Sequence, residues 1–122
     1  MTTEHEPVTS IIFGTMTLGY RGYGARVHDL PTARQMLDTY GSFRHHQLDT
    51  AHAYGDGTCE EMLGDLHAAE TFTIATRFDP AGDKHAHEPE KLTASFRLTL
   101  DRLKTNHAQI LYLTRRSPRQ MI

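Results

Sequence analysis

Cys59 is the chain's only cysteine. An internal disulfide is therefore excluded, and no cysteine-rich spacing points to structural zinc. Long apolar runs are missing as well. No stretch approaches the ~18 residues needed to cross a bilayer. The first seven residues, Met-Thr-Thr-Glu-His-Glu-Pro, carry neither a basic start nor an apolar run, so no secretory signal is expected. Nor is there an excess of one charge. Lys and Arg number 13, Asp and Glu 15, for a formal charge of −2, a balance that gives no reason to expect nucleic acid or a membrane surface as partner. The Arg115, Arg116 and Arg119 group reads as a short solvated tail. Together these absences predict a cytoplasmic protein. Apolar content is also low, at 38% with a mean hydropathy of −0.54. In 122 residues, enough for one domain over 1–122, this means either a thin core or part of a larger unit.

Nine histidines are present, but their spacing argues against a metal. His45 and His46 are adjacent and would face opposite sides of a strand. His85 and His87 sit in a Gly/Asp/Lys-rich loop without a ligand constellation. The glycines of the Gly19–Gly24 loop lack both a Gly-x-Gly-x-x-Gly fingerprint and a following Lys-Ser/Thr, so they do not form a phosphate loop.

What is there is an alternation of elements. Ile11-Ile12-Phe13 within Val8–Met16 reads as a strand covered on both faces. Asp29 and Pro31 open a helix whose stripe is Ala33, Met36, Leu37 and Tyr40, with Gly41 expected as a left-handed C-terminal stop. Gln47–Ala51 is a second strand. Thr58 and Glu61 have the spacing of a capping box ahead of a helix with Cys59, Met62, Leu63 and Leu66 on its apolar face. In that place Cys59 reads as packing. Phe72–Thr76 is a third strand, ending at Arg77. Pro89 opens a long amphipathic helix through Leu92, Phe96, Leu100 and Leu103, and Gln109–Leu113 is a fourth strand. The order is β-α-β-α-β-α-β, with connections long enough for parallel, right-handed crossovers.

The centre of this pattern is Leu48–Gly64. Asp49 and Tyr54 fall at the C-terminal end of the second strand, the end where α/β folds build active sites. Taken alone, Asp49 also reads as a turn former and Tyr54 as a loop aromatic.

Four motifs occur in order: Gly14-Thr15-Met16, Leu48-Asp-Thr-Ala-x-x-Tyr-Gly-x-Gly-x-x-Glu-x-x-Leu-Gly64, Ile74-Ala-Thr-x-x-x-Pro80, and Leu111-Tyr-Leu113. Together they resemble the aldo-keto reductases, most of all the aflatoxin-aldehyde-reductase type, which includes fungal members of secondary-metabolite pathways. The resemblance implies the first half of a (β/α)8 barrel and reduction of an aldehyde or ketone with NADPH. It further implies an Asp, Tyr, Lys, His tetrad. Asp49 and Tyr54 stand at the first two positions, Tyr54 as proton donor. Arg77 stands at the lysine position and Thr114 at the histidine position. Asp49, Gly14, Thr15 and Met16 fall where the cofactor would lie, while the family's later strands, which hold most of its phosphates, have no counterpart here.

Arg77 keeps a positive charge and can pair with Asp49, but its planar fork reaches differently from an amine. Thr114 cannot replace an imidazole. Three readings follow. One is an NADPH-linked carbonyl reductase by descent. Another is a truncated remnant or partner-binding half-barrel without turnover. The third is a homodimer, or an aggregate, joined through open sheet edges.

Overall fold

A computed structural model of the chain describes residues 9–78 and 88–113. Its frame is one sheet of four parallel strands, β1 (Ile12–Gly14), β2 (Gln47–Asp49), β3 (Thr73–Phe78) and β4 (Ile110–Leu113), in the order β1-β2-β3-β4. Between them lie α1 (Leu30–Ser42), α2 (Thr58–Asp65) and α3 (Pro89–Leu103), with short 3₁₀ turns at Tyr54–Gly57 and Ala68–Glu70. The expected alternation and parallel direction are both present. Each strand pairs with the next in sequence, so every crossover moves the same way along the sheet. Such a sheet curls toward a barrel rather than reversing like a doubly wound fold.

The register sorts the side chains into two faces. Leu48, Ile74 and Thr76 are fully or almost fully buried and face the helices. Leu48 and Ile74 join Ala33, Leu37 and Tyr40 of α1, Cys59, Met62 and Leu63 of α2, and Leu103 of α3 in one core. Asp29 caps α1, its Oδ2 accepting from the Thr32 backbone N–H at 2.8 Å. The Tyr40 hydroxyl lies 2.6 Å from the carbonyls of both Ile11 and Gln47, tying α1 to the start of β1 and β2.

Several local expectations change. β1 and β2 are three residues each, shorter than expected, although the Thr15 and Thr50 N–H groups still donate to Asp49 O and Ala75 O of the neighbouring strand. Thr58 and Glu61 do not form a capping box. The Thr58 hydroxyl instead donates toward Gly55 O at 2.7 Å and Arg21 O at 2.8 Å, and Gly57, at φ 94°, precedes the helix. Gly41 lies inside α1, and Arg44 takes the left-handed conformation after it. The 19–24 loop is tied down: Gly55 N–H donates to Tyr23 O at 3.1 Å, and a Cβ on Gly22 (φ 91°) would lie 2.5 Å from Gly55 C. Among the described residues, no helix is long and apolar enough to cross a membrane, and no group of three or more His, Cys, Asp or Glu side chains could hold a metal ion. Pro80, His85, His87 and the Arg115–Arg119 group lie outside the described residues.

Candidate active site

On the face away from the helices, successive strands bring matched positions side by side. Gly14 pairs with Asp49, Asp49 with Ala75, and Ala75 with Ile110. One layer further toward the strand ends, Arg77 pairs with Tyr112. These residues, with Ile12, Gln47 and Thr73, line a trough of about 690 Å³.

Asp49 and Arg77 meet at its C-terminal end. Arg77 Nη2 donates to Asp49 Oδ2 at 2.6 Å, across a pair that is partly solvated on both sides. This is the pairing that the charge at position 77 permits. The bond to Asp49 holds the guanidinium protonated above its ordinary range, and the nearby phenols of Tyr54 and Tyr112 act in the same direction. Arg77 Nε is buried with no hydrogen-bond partner among the described residues.

Tyr54 follows β2 in the connection to α2. That connection hangs from the end of β3: Thr50 N–H donates to Ala75 O at 2.8 Å, and His52 N–H to Arg77 O at 3.0 Å. The chain then turns through Gly55, Asp56 and Gly57 at φ 58°, 54° and 94°. Only glycine adopts such angles readily, and Asp better than most others. The turn brings the half-buried Tyr54 ring against the core.

The four residues expected at the cofactor divide. Gly14 and Asp49 border the trough. Thr15 is fully buried, its hydroxyl donating to Asp49 O at 3.0 Å and touching Cys59 Sγ at 3.3 Å. Met16 packs against Gly24. Thr114 lies outside the described residues.

Two features escaped the sequence reading. Tyr112 lines the trough beside Arg77; strict alternation along Ile110–Leu113 would have assigned it to the inner face. Behind the site lies a second polar cluster. Glu60 is fully buried and accepts from Arg102 Nη1 at 3.1 Å. Thr76 Oγ1 lies 3.5 Å from its other oxygen. His52 Nδ1 is 3.0 Å from Thr99 Oγ1 and 3.9 Å from Glu60 Oε1. Burial raises the Glu60 carboxyl above its ordinary value, against the opposing pull of Thr99, Arg102 and Thr76. Burial, then Arg102, lowers His52.

Residues 10–120 match the aldo/keto reductase family. Aflatoxin B1 aldehyde reductase member 2 of Homo sapiens is 27% identical over 118 residues, covering 93% of this chain and 31% of that protein. Among solved structures, a thermostable aldo-keto reductase in complex with the inhibitor epalrestat superposes with a TM-score of 0.67 at 22% identity, covering 98% of this chain and 44% of its own. An aldo-keto reductase from Klebsiella pneumoniae in complex with NADPH gives a TM-score of 0.67 at 22% identity, over 87% of this chain and 35% of its own. The chain thus spans about a third of the length of the curated relative it matches.

Proposed function

The chain belongs to the aldo/keto reductase family, and we propose that it carries the proton-donor side of an NADPH-dependent site that reduces an aldehyde or ketone, in secondary metabolism. The observation that carries this reading is the Asp49–Arg77 pair, 2.6 Å apart on the inner face of a four-stranded half-barrel, with Tyr54 on the connection that follows Asp49. Tyr54 donates the proton to the carbonyl oxygen. Asp49 orients Arg77, whose fixed charge favours the phenolate left behind.

The residues fit the nicotinamide end of the cofactor. The inner side of Gly14 is bare: a Cβ built there would meet nothing within 4 Å. Gly14 and Asp49 would border the ring there. When bound, NADPH supplies the hydride. Among the trough-lining residues Arg77 is the one cation, and it is already paired, so the phosphates need residues beyond those that line the trough. In this reading a complementary half-barrel supplies them.

A second reading is a half-barrel that binds a partner without turnover. It is favoured by the guanidinium at position 77, where the family pattern has an amine.

The test is NADPH oxidation with a generic aldehyde, comparing the 122-residue chain alone with the chain plus the C-terminal half of a related reductase. Turnover is expected only in the mixture and only with Tyr54 intact. A mixture that binds NADPH but is silent with Tyr54 present would favour the second reading.

A further inference from the structure

Arg102, near the end of α3, reaches the connection that carries Tyr54 from the side opposite the trough. Its Nη1 lies 3.1 Å from Glu60 Oε1 and 3.4 Å from His52 O, two residues before Tyr54. The guanidinium also lies against the bare backbone of Gly57, where a Cβ would come within 2.7 Å of Arg102 Cζ. Thr99, one turn earlier on α3, holds the His52 ring at 3.0 Å. From the other side, Arg77 O accepts from His52 N–H. The segment 52–57 is thus clamped between β3 and α3, with Tyr54 inside the clamp.

Glu60 explains why an arginine can be there. A cation beside the first turn of a helix opposes the helix dipole, while a carboxylate in that turn complements it. Glu60 sits in the first turn of α2 and is fully buried, so its charge needs a partner. Arg102 neutralises Glu60 while directing the same nitrogen at the His52 carbonyl.

We infer that Arg102 and Glu60 are positioning residues that fix the orientation of Tyr54 through the His52 backbone. The inference rests on Tyr54 being the proton donor for its catalytic meaning. Its structural content stands apart from that reading.

The experiment is amide hydrogen exchange on the 122-residue chain and on Arg102→Lys, Arg102→Met and Thr99→Val, with urea unfolding in parallel. Lysine preserves the charge facing Glu60, but its amine lacks the planar head that lies against Gly57 and sets Nη1 at His52 O. In Arg102→Lys, exchange at the Tyr54, Gly55 and Asp56 amides should accelerate about tenfold while Leu48 and Ile74 are unchanged. Arg102→Met should accelerate them further, and Thr99→Val should resemble the lysine variant. In the reconstituted assay, Arg102→Lys should lower kcat with little change in the KM for NADPH. Unchanged exchange at 54–56 overturns the inference. So does acceleration that merely tracks Leu48 and Ile74, or loss of fold in all three variants, since either means a purely structural role. A parent without turnover defeats the proposed function but leaves the exchange result to decide the clamp.

Discussion

At the scale of single residues, the site depends on what stands at position 77. A lysine there would place a small, strongly hydrated charge on a flexible stem, where the guanidinium offers a rigid plane. In the reconstituted assay, Arg77→Lys should raise turnover by ~10²-fold, the usual size of an acid–base contribution. Equal rates for the two would show that the arginine supports the chemistry as it stands. His52 gives a separate prediction. Its folded pKa lies below 6.5, so the unfolded chain binds more protons in the window just below that value. Stability must then rise with pH through that window and level off above 6.5. Glu60 acts in the opposite sense, because its raised pKa makes stability fall as pH climbs from 4.5. Urea midpoints measured across pH should therefore show a flatter rise below 6.5 in His52→Asn than in the parent. An identical slope would remove His52 from the balance.

At the scale of elements, the close crossing of α2 and α3 sets the geometry behind the site. Gly64 permits it: a Cβ there would overlap the Arg102 carbonyl, which is backbone and cannot swing away. Gly64→Ala should therefore destabilise the chain by roughly 1–3 kcal/mol, the range for overpacking, read as a lower urea midpoint. This level also shows what the sequence could and could not reveal. The stripes Ala33–Met36–Leu37–Tyr40 and Cys59–Met62–Leu63–Leu66 are local and periodic, and all but the half-buried Met36 are fully or largely buried. Asp49 facing Arg77 followed from the family resemblance, which sets Arg77 where an amine paired with that aspartate would stand. The role of Thr58 did not follow, because its hydroxyl is taken by the Arg21 carbonyl, 37 positions away. Nor did the Glu60–Arg102 pair, separated by 42 positions. A charged residue beside a second glutamate reads as a solvated face until tertiary packing buries it.

At the scale of the whole molecule, the sheet is open. Among the described residues β1 and β4 each lack a partner on one side, and Ile12, Ile110 and Tyr112 are 57%, 46% and 51% exposed. Unpaired parallel edges beside an apolar inner face favour pairing with another chain. The 122-residue chain should therefore self-associate in sedimentation velocity. A discrete dimer would fit two half-barrels closing on each other, each β4 edge meeting a β1 edge. A stable monomer over the micromolar range would contradict this view of the edges.

The central claim, that Tyr54, on the connection that follows Asp49, is the proton donor of a carbonyl reductase, is tested most directly by one comparison. NADPH oxidation is followed at its near-ultraviolet absorbance in the reconstituted mixture, with the parent chain in one arm and Tyr54→Phe in the other. The account predicts aldehyde-dependent oxidation in the parent arm and a rate at least ~10²-fold lower in the Tyr54→Phe arm. Equal rates in the two arms would contradict it.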